Sequence, residues 1–399
     1  MLIQHLSLTN FRLYARLEQD FAPGLTIIQG DNAQGKTSLL EAVHYLATAH
    51  SPHTNADRQV IRWGAGEEAP YPYALLKGEL RRRDGARLLE LGLQIGEAGR
   101  LRKDIRIDRM PKKAIDLVGQ LAVVLFLPGD VELVSGAPAL RREFLDGALC
   151  QVDAGYAQAL EQYAKAMAQR NALLKQAQER HIDPDELAIW DAQLVPAGVL
   201  ISLRRRAAVA ELSTLALPIH RELSGGTEFM QTRYAPNFDA AAPQLEDAYQ
   251  IGLAMAGPPD GVSAADLEAA FLRALATRRK EEIARGLTLT GPHRDDLRMI
   301  ANGVDLGEYG SRGQQRTAVL ALKLAEAAWL KERLGEDPVI LLDEVLAELD
   351  PRRRQCLLAR IGEGQQTLIT TTDVHRFDAD FLRKASLLTV RGGIVGGAL

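Results

Sequence analysis

Cysteine is nearly missing from this chain of 399 residues. Cys150 and Cys356 share no CxxC spacing, which excludes a disulfide framework or a cysteine-based zinc site. A reducing cytosol is the simplest compartment for such usage. Aromatic residues make up only 5 %, so broad base-stacking platforms are not expected. No apolar run approaches the ~20 residues that span a bilayer; the densest, from Leu121 to Leu127, has seven. The opening MLIQHLSLTNFRLY lacks the charged start, apolar block and small-residue cleavage site of a signal peptide. Neither charge sign dominates: 48 Lys and Arg face 52 Asp and Glu, a net of −4, which excludes a uniformly basic coat. What remains is an ordinary globular composition, 46 % hydrophobic and 25 % charged. At ~150 residues per domain the length suits two or three domains.

The even average hides a local bias. From Lys77 to Lys113 there are twelve Lys and Arg against six Asp and Glu, so this segment carries +6 and the rest of the chain −10. One face for a polyanion and a solvated strand face of mixed charge both fit that pattern.

The two ends of the chain read as α/β and the middle as helical. Leu2 to Leu8 alternates as a strand, Leu25-Thr-Ile-Ile-Gln29 is a short β-branched run ended by glycine, and a helix follows Lys36. Short strands broken by charged turns fill 73–107, and 121–127 is a buried strand closed by Pro128. From Leu145 to Leu174 apolar residues recur at steps of three and four, predicting one long helix. After a connector at 181–185 a second helix follows, which Pro196 should kink or restart, and the two should fold back on each other. The patch 224–263 looks irregular, and Ser263 is placed to cap a helix running to Arg285. Beyond Gly286 the chain returns to α/β character: LTLTG as strand and turn, a helix at 317–334, buried strands VILLD and TLITTTD, and a terminal GGIVGG hairpin. No internal repeat is visible.

Four constellations carry chemistry. Gly30-Asp31-Asn32-Ala33-Gln34-Gly35-Lys36-Thr37 fits GxxxxGK[ST] between a strand and a helix, where backbone N–H groups can curl around a phosphate. Ser38 follows directly. Lys36 should reach the β- and γ-phosphates and Thr37 should ligate Mg²⁺. Val339-Ile-Leu-Leu-Asp343-Glu344 is an apolar strand ending in two carboxylates. Asp343 is placed as a Walker-B aspartate holding Mg²⁺ and Glu344 as the general base for an attacking water. Gly310-Ser311-Arg312-Gly313-Gln314 opens a helix 32 residues before Asp343 and resembles the signature loop of ABC-type ATPases, which completes the site of the opposite subunit. Ser311 with Gln314 is equally a helix capping box. Glu348-Leu349-Asp350, just after Walker B, resembles the D-loop that crosses ABC dimers; alternatively Asp350 is an N-cap with Pro351 at the first helical position.

Longer words narrow the family. Asn10-Phe11-Arg12-Leu13-Tyr14, GDNAQGKTSLLEA, LPGDVELVSGAPALRREFLD, Gly291-Pro-His-Arg-Asp-Asp-Leu297, SRGQQR and LLDEVLAELD together resemble the RecF family of bacterial recombination mediators across the whole chain. Departures are Ala33 for a usual glycine, Ser38 where asparagine is common and Gly129 for a glutamate. No transporter-type Q-loop glutamine is found, and Thr371-Thr372-Asp373 occupies the usual switch-histidine position.

The resemblance implies an α/β fold with an ABC-type P-loop ATPase head built from both chain ends, 1–128 and 286–399, around a mainly helical insertion, 129–285. It implies ATP and Mg²⁺ as cofactors, an ATP-dependent homodimer with the signature Ser311, Arg312, Gly313 and Gln314 acting in trans, and slow hydrolysis by Glu344 and Lys36. It also implies binding to duplex, gapped or single-stranded DNA, RecR as partner with RecO and RecA downstream, support of the SOS response, a cytoplasmic location and no membrane. Arg12 is a candidate for nucleotide or partner contact, or a strand-end surface charge. Arg141 and Arg142 either bind DNA or solvate a first helical turn. His293 to Asp296 form either a polar network near the nucleotide or a turn held by an Arg–Asp pair. Arg81, Arg82, Arg83, Arg100, Arg102, Lys103, Arg106, Lys112 and Lys113 are the preferred phosphate contacts, which need charge but no base code. An ABC transporter subunit, which would need a docking surface for membrane helices, is the reading from another class. A nucleotide-gated scaffold that scarcely hydrolyses ATP is a third.

Overall fold

The computed structural model describes residues 1–68, 70–97, 99–179, 184–238, 263–361 and 365–397. Most of the expected connector (181–183) and of the irregular patch (239–262) lies outside the described residues. Two compact units emerge, one made of 1–130 with 326–399 and the other of 131–325. The boundary expected at 286 is therefore displaced. Residues 286–325 belong with the inserted unit because Asp296–Ala301 forms a strand paired along its length with Met230–Ala235.

The first unit holds two six-stranded sheets. One is antiparallel, in the order β2-β1-β4-β5-β6-β7, from β1 (Leu2–Phe11), β2 (Tyr14–Asp20), β4 (Tyr73–Arg82), β5 (Gly85–Ile95), β6 (Leu101–Ile107) and β7 (Met110–Lys112). Its central strand β4 buries every second residue from Ala74 to Leu80, as a strand with one wet face must. The other has the order β15-β14-β3-β13-β12-β8, from β3 (Leu25–Gln29), β8 (Val123–Phe126), β12 (Val339–Asp343), β13 (Thr367–Thr371), β14 (Ala385–Arg391) and β15 (Ile394–Gly397). All its pairings are parallel except β14 with β15. β12 and β13 are buried at every residue, the mark of central parallel strands.

Helix α1 (Lys36–Thr48) packs against strands of both sheets and is buried on nearly every side. Nine of its thirteen residues are buried, Lys36 and Glu41 among them. Leu39, Val43 and Leu46 join Ile3, Leu76, Val123 and Leu341 in one continuous core. At Gly78 of β4 a Cβ would lie 2.9 Å from Leu46 Cδ1, so the absent side chain lets the helix approach the strand.

The inserted unit contains α2 (Pro138–Cys150), α3 (Ala154–Glu179), α4 (Pro184–Leu223) and α5 (Ala264–Arg285). A three-stranded sheet of β9 (Met230–Ala235), β10 (Asp296–Ala301) and β11 (Val304–Asp305) makes it less purely helical than expected. The single helix expected over 145–174 is two, because the Asp153 carboxylate accepts the Tyr156 N–H at 2.9 Å and restarts the helix. α4 runs on through Pro196 and Pro218 without restarting. It packs against α3 as expected. LTLTG is no strand: Asn171 takes the Thr288 N–H and Glu282 the Leu289 N–H, leaving no ladder to form. Ser263 and Asp266 form the capping box that opens α5. Helix α6 (Arg312–Leu334) crosses from this unit into the first, where α7 (Pro351–Arg360) follows. Among the described residues α4 is the one helix that by length and composition could cross a membrane, but half of its apolar window is buried and the helix continues into Arg204, Arg205 and Arg206.

A buried charge cluster fastens α3, α4 and α5. Arg170 is fully buried and donates to Asp191 (2.7 Å), Glu282 (2.7 Å) and Thr288 (2.9 Å). Removing one partner of a buried pair strands the other charge at a cost of about 3–5 kcal/mol. Arg170→Met is expected to lower unfolding stability by about that amount. Urea denaturation monitored by circular dichroism checks it; a loss within the ±0.5 kcal/mol typical of surface changes would reject the cluster as a fastener.

Candidate functional site

β3 and β12 both neighbour β13, so their carboxyl ends, Gln29 and Asp343, lie at one edge of the parallel sheet. In open α/β sheets that edge is where ligands bind. The P-loop leaves β3 there. Gly30 is held by a backbone bond to Thr371 O at 3.2 Å, and a Cβ on it would stand 2.4 Å from Val390 O. Asp31, Asn32 and Ala33 form the exposed crest, and Ala33 takes a left-handed φ of 62°. The Gln34 side chain accepts the Gly392 N–H at 2.5 Å while its carbonyl accepts the Gly393 N–H at 3.0 Å, so the terminal hairpin clamps the loop. Gly35 has φ 115°, and its carbonyl accepts from the buried Tyr14 hydroxyl at 2.9 Å. Burial raises the Tyr14 pKa well above the ordinary phenol value, which keeps that donor protonated. Lys36, Thr37 and Ser38 begin α1, where backbone N–H groups have no intrahelical acceptor.

The two expected nucleotide motifs meet across 306 residues. Thr37 Oγ1 donates to the Asp343 carboxylate, at 3.0 Å from each oxygen. Lys36 Nζ is 3.0 Å from Glu344 Oε1 and donates to the carbonyls of Gly30 (2.8 Å) and Asp31 (2.9 Å). Thr370, which the motif reading missed, orients both acids. Its hydroxyl donates to Asp343 Oδ1 at 2.8 Å and accepts the Glu344 N–H at 2.9 Å. Glu344 itself sits at φ 53°, a conformation costly for a side chain with a Cβ and one that collects at functional sites. Convergent hydroxyl and carboxylate oxygens at Thr37 and Asp343 are the hard donors that suit Mg²⁺.

Arg12 is not a loose surface charge. Its guanidinium grips the buried Glu41 through Nε (2.8 Å) and Nη2 (2.5 Å), and Nη1 donates to Gln59 O at 3.0 Å. In the D-loop, Asp350 is an N-cap that accepts the Arg353 N–H at 2.9 Å, a bond that lowers its carboxyl pKa. Glu348 is exposed and Leu349 buried, while Arg354 fixes the loop by donating to the carbonyls of Leu346 and Leu349. Sequence alone gave no sign of Arg354.

The signature residues lie in the inserted unit. Ser311 Oγ accepts the Gln314 N–H (3.3 Å) and Gln314 Oε1 accepts the Ser311 N–H (2.9 Å), so the capping box is real. Ser311 and Arg312 are exposed, and Gly313 and Gln314 are half-buried. The GPHRDDL word is a structural knot within the same unit. At Gly291 (φ 134°) a Cβ would fall 2.3 Å from the Tyr163 hydroxyl. His293 accepts from that hydroxyl at 2.7 Å and donates to Thr288 O at 3.0 Å, a neutral imidazole whose pKa burial lowers to about 4. Asp295, fully buried, accepts from the Tyr234 hydroxyl and the Asn237 N–H. Asp296 pairs with Arg141 at 2.6 and 3.0 Å, and Arg142 donates to Asp295 O. Both arginines are thereby committed to the fold rather than to DNA or solvent.

The basic segment divides by strand alternation. Lys103 points inward to Asp57 (2.8 Å) and Ala49 O (2.6 Å), and Arg82 donates to Gly119 O (2.5 Å), so neither stands free as a phosphate contact. On the wet face Lys77 pairs with Glu90 and Arg106 with Asp104, a mixed-charge surface. Arg81, Arg83, Arg100, Arg102, Lys112 and Lys113 are exposed, and among the described residues no ion pair is recorded for their side chains. Lys112 lies opposite Ile105, at the end of the edge strand β7.

A family model for the RecF/RecN/SMC N terminal domain matches residues 2–385. The DNA replication and repair protein RecF of Chloroflexus aurantiacus is 45 % identical over 408 residues, covering 99 % of this chain and 99 % of that protein. A solved structure described as the recombination mediator protein RecF-ATPrS in the RecFOR pathway has a TM-score of 0.85 and 28 % identity, covering 100 % of this chain and 98 % of the other. A second, described as RecF-ATP in the same pathway, has a TM-score of 0.83 and 28 % identity, covering 100 % and 97 %.

Ala33 tests the loop geometry. A left-handed residue with a Cβ costs about 1–2 kcal/mol, which glycine avoids while losing some entropy advantage in the unfolded chain. Ala33→Gly is expected to stabilise the protein by up to about 1 kcal/mol, read as a rise in thermal midpoint. A clear fall would mean that Ala33 does not hold this conformation.

Proposed function

The chain belongs to the RecF family, with an ABC-type α/β ATPase head, and from that premise we propose that it is an ATP-dependent DNA-binding protein of recombinational repair whose heads dimerise on ATP. The observation that carries the proposal is the meeting of Lys36 and Thr37 with Asp343 and Glu344 at the carboxyl edge of the parallel sheet. Phosphates of ATP enter at Gly30–Ser38, against the first turn of α1. Their charge draws the Lys36 ammonium away from Glu344, so nucleotide binding frees the base that hydrolysis needs. Thr37 and Asp343 would hold Mg²⁺, whose charge would offset that of the phosphates. Glu344 takes a proton from the attacking water as its oxygen bonds the γ-phosphorus and the bond to the bridging oxygen breaks, leaving ADP and inorganic phosphate. Thr370 keeps Asp343 and the Glu344 backbone in place through this step.

Ser311, Arg312, Gly313 and Gln314 of a second copy close over the γ-phosphate, and Glu348, Leu349 and Asp350 lie along that interface. Hydrolysis, slow in such a cycle, parts the pair and releases DNA. Phosphate contacts come from Arg81, Arg83, Arg100, Arg102, Arg106, Lys112 and Lys113, and duplex, gapped and single strands are all admissible. We place the protein in the cytoplasm with RecR, and with RecO and RecA downstream, supporting the SOS response.

Glu344→Gln keeps the side-chain shape and removes the base. Its mass by light scattering should shift from ~44 to ~88 kDa on adding Mg-ATP, the doubling of a two-fold pair. A mass indifferent to ATP in protein that binds nucleotide would sink the shared-site reading. Arg102→Glu with Lys112→Glu and Lys113→Glu should weaken DNA binding about equally at every sequence and flatten its salt dependence by about one unit per lost phosphate contact. Unchanged affinity would return this edge to a solvated surface.

A further inference from the structure

The signature loop is held from behind by a residue of the inserted unit that belongs to no nucleotide motif. Gln314 uses both ends of its amide: Oε1 caps the Ser311 N–H at 2.9 Å, and Nε2 donates to Glu228 Oε1 at 2.7 Å. Only this orientation of the amide serves both partners, because the carboxylate accepts and the N–H donates. The bond to Glu228 is charge-assisted, the stronger class.

Glu228 is itself well fixed. It lies on the turn between α4 and β9, where Gly225 and Gly226 adopt φ of 77° and 83°. Ser224 Oγ accepts the Glu228 N–H at 3.3 Å. On either side of Glu228, Asn302 takes the Phe229 N–H (3.0 Å) and donates to Thr227 O (3.1 Å). The Glu228 side chain is 19 % exposed, with His220 of α4 3.8 Å away.

We infer that Glu228 is a positioning residue for the signature loop, acting through Gln314 to set Ser311 for the γ-phosphate of a second copy. The inference rests on the reading of Ser311 as a ligand in trans. A capping box whose Ser311 faces solvent closes and opens readily unless its Gln314 is held from elsewhere. Anchoring Gln314 to a carboxylate on a braced turn fixes the Ser311 backbone, so its hydroxyl is presented in one direction. Glu228 acts by accepting a hydrogen bond, so an uncharged acceptor of the same length should serve.

Dimer dissociation constants in Mg-ATP, measured in the Glu344→Gln background by a light-scattering dilution series, test this. Glu228→Ala should weaken the dimer about tenfold, a change of 1.4 kcal/mol. Its monomer should bind a fluorescent ATP analogue as the parent does, because the P-loop is untouched. Glu228→Gln should stay within about threefold of the parent. Gln314→Ala should weaken the dimer at least as much as Glu228→Ala, and adding Glu228→Ala to it should weaken it no further, as for two residues in one link. Normal dimerisation by Glu228→Ala, with Ser311→Ala impaired, would overturn the inference and leave the signature reading intact. Glu228→Gln as weak as Glu228→Ala would overturn it in favour of a charge effect. If Ser311→Ala also dimerises normally, the signature reading has failed and this inference falls with it.

Discussion

Helix α1 is buried between two sheets, and its first residue is the lysine at the centre of the proposed nucleotide site. A helix exposed on one side can rock; one packed on both sides is displaced only by opening the core, which interiors of crystal-like density resist. The P-loop therefore inherits its position from apolar packing many residues away. The same packing brings Thr37 within hydrogen-bonding reach of Asp343, a residue that could not otherwise find it across the chain. Other local devices, including the Thr370 hydroxyl, the Tyr14 hydroxyl and the hairpin at Gly392, refine a placement that the core has already made.

Two styles of fastening divide the molecule. The first unit relies on a continuous apolar cluster drawn from both sheets. The inserted unit leans heavily on buried ions: Arg170 with Asp191 and Glu282, Arg205 with Asp146, and Arg141 with Asp296. Buried ion pairs add little net stability over well-packed apolar side chains. They do punish any mispairing of helices, since each wrong register leaves charges stranded. The GPHRDDL word, whose residues spread across these networks, is best understood as part of that registration.

The sequence made the nucleotide site legible because its motifs are contiguous words whose chemistry depends on local backbone shape. The strand–loop–helix around Lys36 and the acids ending at Glu344 stand where their words placed them. What the words could not convey was partnership over distance. Arg12 reads either as a nucleotide or partner contact or as a strand-end surface charge, and no local word shows that Glu41 lies beneath it; Lys103 counts as basic surface until strand alternation turns it inward to Asp57. A charge count records sign and not direction, so the basic segment separated into wet-face, inward and edge residues only once register was known. The boundary at 286 failed for a related reason. β9 and β10 are distant in sequence and short, and no periodicity announces that they pair.

The clamp of the terminal hairpin on the P-loop bears on how the protein is made. Gln34 and Gly392 are 358 residues apart, and both parallel neighbours of β3, β13 and β14, are also drawn from the last part of the chain. A ribosome delivers the P-loop long before β13 and β14, so its strand has no parallel neighbour to join until they emerge. At translation speeds of roughly 5–20 residues per second, the P-loop sequence waits on the order of tens of seconds before its geometry exists. Through that interval an ATP-rich cell holds a nascent chain whose nucleotide motif is written but not yet shaped. The loop thus takes its shape only after β13, β14 and the turn at Gly392 have been made.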